Sequence, residues 1–192
     1  MTPPTRDRFL AAATGLFRRQ GYSATPLKQI IAEGGAPLGS LYYFFPGGKQ
    51  ELAVEAIRRT AERYEHLLDR VFDEAGDTAS AATAWFALAA RALEDSDFAD
   101  GCPIGTVACE VASSNEPLRQ ASDAVFVAWR TRVADQLIGE GVKPAEARRL
   151  SVFAVASLEG AIVLARTQRS TQPLRDTGRV VADTLRRVTR SA

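Results

Sequence analysis

The chain has 192 residues, enough to bury a substantial core in one or two compact units, and its 24 Lys and Arg almost balance 23 Asp and Glu. The balance conceals a division: residues 1–59 hold eight basic and four acidic side chains, a net +4, whereas residues 60–192 hold sixteen and nineteen, a net −3. A single histidine excludes a multi-histidine metal centre built by one chain. The two cysteines, without a secretion signal, suit a reduced cytoplasmic setting better than a disulfide framework.

After Met1–Pro4, Thr5 is expected to cap a helix in which Phe9, Leu10, Ala13, Leu16 and Phe17 recur at helical spacing up to Gly21. Thr25 to Lys49, TPLKQIIAEGGAPLGSLYYFFPGGK, reads as two short helices joined by a glycine turn. Thr25 is expected to N-cap the first, with Pro26 at its first position and Leu27, Ile30 and Ile31 on its apolar face. Gly34 and Gly35 stop it, and a second helix opens at Pro37. At 100° per residue Leu41 and Phe45 share the face turned inward, so Gly39, Ser40 and Tyr43 turn outward with Tyr42 beside them. Glycine allows close approach to a duplex, and the hydroxyls can bond phosphates or base edges. Pro46-Gly47-Gly48-Lys49 then opens a helix whose free N–H groups, with the lysine ammonium, suit a phosphate.

This segment resembles the helix-turn-helix of TetR-family bacterial repressors, whose recognition helix carries a Leu-Tyr-x-x-Phe signature, here Leu41, Tyr42 and Phe45. The wording GAPLGSLYYFFPGGK, with Gly101-Cys102-Pro103-Ile104-Gly105, is similar to the LmrA/YxaF-like subgroup. The resemblance implies an all-α fold of about nine helices, with a three-helix DNA-binding domain at 1–48 and a helical ligand-binding and dimerisation domain at 49–192. It makes Thr25, Pro37, Leu38, Gly39, Ser40, Tyr42, Tyr43 and Lys49 the expected DNA-facing set. Two positions depart from the family pattern: Leu38 stands where a basic residue is common, and Phe44 where histidine is.

Beyond Lys49 a long amphipathic helix is expected to about Ala75, carrying Leu52, Ile57, Tyr64, Leu67, Leu68, Val71 and Phe72. A helix from Thr78 to about Leu93 carries Trp85 and Phe86, and an acidic loop follows to Asp100. A short helix starts at Gly101-Cys102-Pro103, and Asn115 caps one that runs to Gly139 with Phe126 and Trp129 in its apolar stripe. The aromatic residues offer flat walls between helices, so an effector pocket is expected from Trp85, Cys102, Ile104, Cys109, Glu110, Phe126 and Trp129. Core packing is the competing reading for Trp129 and the cysteines, and an outward carboxylate for Glu110. Helices from Pro144 to about Gln168 and from Pro173 to about Val188 suit either a buried position or a two-fold interface, and the resemblance favours the interface; a charge at Ala161 is then expected to split the dimer. The apolar tract from Val152 to Ala165 is interrupted by Glu159 and reads as one of these helices rather than a membrane span.

No catalytic constellation is visible. Gly48-Lys49 lacks the remainder of a phosphate loop, because Tyr43 stands at its first glycine and Gln50 at its Ser/Thr position. The reading is a cytoplasmic, homodimeric repressor with no cofactor, bound to near-palindromic double-stranded operator DNA and released by a small hydrophobic or aromatic effector. The alternatives are a regulator or activator without an effector and a helical-bundle enzyme.

Overall fold

The computed structural model describes residues 3–191, which form nine helices and no strand: α1 (Thr5–Gln20), α2 (Leu27–Gly34), α3 (Leu38–Phe44), α4 (Gly48–Ala75), α5 (Thr78–Asp95), α6 (Pro103–Val111), α7 (Glu116–Gly139), α8 (Pro144–Gln168) and α9 (Gln172–Thr189). They fall into two compact units. The first contains the chain up to Arg63 together with Cys102–Val125, and the second Tyr64–Gly101 together with the chain from Phe126 onward. By packing, α6 and the start of α7 therefore belong with the helix-turn-helix, a grouping the division at residue 48 does not anticipate.

In the first unit the helical repeat of α1 buries Phe9, Leu10, Ala13, Leu16 and Phe17, against which Ile30 of α2 and Leu41 at the inner face of α3 close. Leu52, Ala53, Ala56 and Ile57 of α4 and Ile104 and Val107 of α6 complete the core. Gly35 takes a left-handed conformation at the end of α2 (φ 60°), and its N–H reaches the carbonyl oxygens of Ile31 and Ala32, the geometry that lets α3 start three residues later.

The expected N-cap at Thr25 is corrected by the structure. Pro26 occupies the cap position without a side-chain bond, while Thr25 is 0% exposed and its hydroxyl donates to the Gly21 carbonyl at 2.6 Å. The turn in which Thr25 N–H reaches Tyr22 O carries the side chain inward, away from the open end of α2. Pro37 is likewise the residue before α3 rather than its first, and Thr5 is the first residue of α1 rather than its cap, a position that Pro4 takes.

The second unit is packed largely through small residues. Ala79 and Ala90 of α5, Ala147, Ala154, Ala161 and Ala165 of α8, and Ala182 of α9 are buried with Phe86, Leu137, Leu158, Leu174, Val181 and Leu185. At the start of α5, both the backbone N–H and the hydroxyl of Thr78 donate to Glu140 at 2.6 Å, and Asp77 accepts from Ser80 N–H at 2.7 Å. Ala161 is only 2% exposed within this core, which corrects its assignment to an interface: a charge there would break the protomer. The apolar residues of the same two helices that do face outward are Val152, Phe153, Val163 and Leu164 of α8 and Val180 of α9. By length and composition α8 could cross a bilayer, but its other face, from Ala147 to Ala165, is buried in protein.

Candidate nucleic-acid interface and effector cavity

The inward packing of Leu41 and Phe45 fixes what α3 presents to solvent. Tyr43 is 79% exposed, Leu38 49% and Tyr42 48%; Gly39 is exposed with no atom within 4 Å of where a side chain would begin, and Ser40 is half-buried. Tyr43 stands edge-on to Phe44 with centroids 5.0 Å apart, and the Tyr42 ring lies beside Gly48. Pro37 is exposed at the entrance to the helix. Of the expected DNA-facing set, therefore, Thr25 is buried and Lys49 half-buried, and the other six lie on one short segment.

Lys49 is held from inside. Its ammonium donates to Tyr22 O at 2.6 Å and lies 4.1 Å from the centre of the Tyr22 ring. Burial pushes its pKa below the ordinary lysine value, and the nearby Glu110 carboxylate opposes that shift. Burial raises the Tyr22 phenol in the same place. The anion at the start of α4 is internal as well, because Glu51 accepts from Gly47 N–H at 2.7 Å.

Glu110 closes this cluster. Its carboxylate accepts from Ser23 N–H at 2.8 Å, and a side-chain carbon on Gly21 (φ 81°) would lie 1.5 Å from its Oε1. Nothing in the order of residues shows that α6 would meet the α1–α2 loop, although Gly21 beside Tyr22 and Ser23 marks a turn that something must approach closely. Most of the head's arginines are also engaged: Arg6 with Glu55, Arg19 with Glu33, Arg59 with Asp7, and Arg8 with Gly35 O. Lys28 stays exposed on α2.

The second unit encloses an apolar cavity of about 50 Å³, walled by Phe72 of α4, Trp85 and Phe86 of α5, Trp129 of α7, Leu158 of α8 and Leu185 of α9. Tyr64 meets both tryptophans edge-on, with centroids 6.1 Å from Trp85 and 5.6 Å from Trp129, and Phe126 meets Trp129 at 5.6 Å. The wall carries no ionisable side chain, and its one hydroxyl, on Thr78, is bonded to Glu140. Trp85 and Trp129 are thus brought together as expected of pocket walls, with Phe126 behind Trp129. Cys102, Ile104, Cys109 and Glu110 are absent from the lining and belong to the first unit. There Ile104 is buried beside Phe17 and Ala56, Cys102 caps α6 through Gly105 N–H at 3.4 Å, and Cys109 is exposed. The periodicity of α6 gave its apolar face but not the partner of that face, which is α1.

An exposed reader helix seated on two supporting helices, with a helical unit enclosing an apolar cavity in the same chain, defines a DNA-binding transcriptional regulator of helix-turn-helix type. Residues 9–56 match the model for bacterial regulatory proteins of the tetR family, and residues 78–180 that for the C-terminal domain of LmrA/YxaF-like transcriptional regulators. The chain is 39% identical to the HTH-type transcriptional regulator YxaF of Bacillus subtilis (strain 168), over 88% of this chain and 89% of that one. It is 34% identical to the HTH-type regulator LmrA of the same organism, over 95% and 97%. A TetR transcriptional regulator from Legionella pneumophila shares the fold with a TM-score of 0.87 at 20% identity, over 95% of this chain and 98% of that one. The protein belongs to the TetR family of transcriptional regulators, with a C-terminal domain of the LmrA/YxaF-like kind, and is not an enzyme.

Proposed function

We propose that the protein is a cytoplasmic homodimeric repressor that leaves a near-palindromic operator when a small hydrophobic or aromatic effector enters the cavity between Trp85 and Trp129. The cavity carries this reading. At about 50 Å³ it is far smaller than the roughly 300–1,000 Å³ of sites that enclose drug-sized ligands, so an effector must part the surrounding helices to enter. A ligand that binds only the parted form shifts the population towards it, which is the differential affinity that release requires. Its wall of aromatic and aliphatic side chains favours a neutral, apolar molecule, because a charged one would lose its hydration without a partner.

The row Val152, Phe153, Val163, Leu164 and Val180 supports self-association, since an apolar strip spread over two helices is stabilised when a second copy covers it. A two-fold dimer places two α3 helices on successive major-groove faces about 34–36 Å apart, so the operator repeats in inverted orientation. Tyr42, Tyr43 and Lys49 are then candidates for phosphate contact.

Selection of genomic fragments by the purified protein, followed by titration of the bound fragment with aromatic compounds, tests this reading. The chain's two tryptophans are Trp85 and Trp129, so intrinsic fluorescence reports directly on the cavity. An effector should alter tryptophan emission and release DNA over the same concentration range. Release with unchanged emission would place the effector elsewhere.

A further inference from the structure

The stretch from Ala36 to Gly48 contains no guanidinium, ammonium, amide or carboxylate side chain. The standard ways of naming a base pair by two hydrogen bonds are an Arg or Lys on guanine and an Asn or Gln on adenine, and α3 can make neither. What it presents is one aliphatic side chain, Leu38, and two phenol rings, Tyr42 and Tyr43, around the bare backbone at Gly39. Leu38 and Tyr42 lie one turn apart on the same edge of this face, with Gly39 and Tyr43 on the next. The hydroxyls of Ser40, Tyr42 and Tyr43 can donate or accept, so they discriminate weakly between bases.

In the major groove one base-edge group is apolar, the C5-methyl of thymine. We propose that Leu38 reads thymine methyl groups, and that this contact supplies the chief sequence signal taken by α3. The proposal rests on the DNA-binding reading of the helix-turn-helix and adds what it selects. Leu38 is 49% exposed although its neighbours Leu41 and Phe45 are buried, so about half of this apolar residue faces water in the unbound protein. Packing it on a methyl removes apolar surface from water on both sides. Gly39 assists because nothing projects from it to hold the helix away from the groove floor.

The test replaces thymine by deoxyuracil, which keeps Watson–Crick pairing and removes only the methyl. After a binding site has been selected from random duplexes, each thymine of a half-site is substituted singly and affinity is measured by fluorescence anisotropy at fixed salt. At one or more positions the substitution should weaken binding about fourfold, the effect of removing one buried methyl. Leu38→Ala should bind the native and substituted sites equally at that position while keeping the salt dependence, since no phosphate contact is lost. Leu38→Gln should move the preferred base there towards adenine.

A selected site insensitive to deoxyuracil throughout both half-sites overturns the proposal. Sensitivity that persists unchanged in Leu38→Ala overturns the assignment to Leu38. Failure to select any duplex removes the DNA-binding reading and the proposal with it.

Discussion

The loop between α1 and α2 is held by polar contacts that converge on five residues: Thr25 bonds Gly21 O, Glu110 bonds Ser23 N–H, and Lys49 bonds Tyr22 O while lying on its ring. The environment of Trp129 in the second unit is of another kind. Its neighbours are aromatic rings and alanine-rich helices, its indole N–H is buried without a hydrogen-bond partner, and free volume lies beside it. Hydrogen bonds fail within a fraction of an ångström and tens of degrees, whereas apolar contacts carry no direction and can be redistributed. The contrast assigns rigidity to the reading head and deformability to the cavity.

The largest effect compares one substitution in both regions. Phe45→Ala and Phe86→Ala each remove a buried ring, for which the loss is about 3–5 kcal/mol, and Phe45→Ala should lie at the upper end because the head has little freedom to collapse around the void. Phe86→Ala should lie at the lower end, since the cavity wall beside it can relax. Urea unfolding of both variants reads the difference, and an equal or greater loss at Phe86 would contradict a deformable second unit.

Next in size is a pair of charges on α8. Ala161→Asp should destabilise the protomer by roughly 3 kcal/mol through a buried, unpaired carboxylate. Val163→Asp, two residues on but at a position 63% exposed, should leave thermal unfolding of the protomer almost unchanged while lowering the sedimenting mass from dimer to monomer. A Val163→Asp protein that stays dimeric would remove this strip from the interface.

A smaller loss is expected from Gly21→Ala, about 1–3 kcal/mol, because φ 81° with ψ 178° is a conformation reserved for glycine and Glu110 would have to move aside. Operator affinity should fall with it if the loop sets the seating of Lys49. Unaltered stability and affinity would show that the loop is not held as tightly as its contacts imply.

The smallest effect is electrostatic. Glu110→Gln keeps an oxygen able to accept from Ser23 N–H but removes the negative charge that raises the Lys49 pKa. Desolvation then acts unopposed, so the Lys49 pKa should fall further below its ordinary value, seen by side-chain NMR titration. An unchanged titration would separate the two groups.

These outcomes bear on how far each region can be read from residues alone. Leu41 and Phe45 inward against Leu38, Gly39, Tyr42 and Tyr43 outward follows from helical periodicity within seven or eight residues, and the glycine turn before α3 from the conformational freedom of Gly35. Trp85 and Trp129 stand on the apolar faces of two separate helices, which leaves core packing and pocket wall both open for Trp129, and only the packed structure places both beside the cavity. Glu110 could not be placed by the same means. On α6 it stands beside Cys109 and Val111, a position that leaves a pocket-facing and an outward carboxylate both open, and only the packing of α6 against α1 shows that this exposed side chain reaches Ser23.

The sequence by itself determined the succession of helices among the described residues, which face of the reader helix turns inward, and the resemblance to the family, because each is set by contacts a few residues apart or by a contiguous motif. Tertiary structure decided that Thr25 is buried rather than capping α2, that Lys49 is bound to Tyr22 O, that Ala161 lies in its own protomer's core, and that α6 packs with the head. Periodicity states which face of a helix is apolar, but the element that covers it comes from residues tens of positions away, and their pairing is fixed only when the whole chain packs.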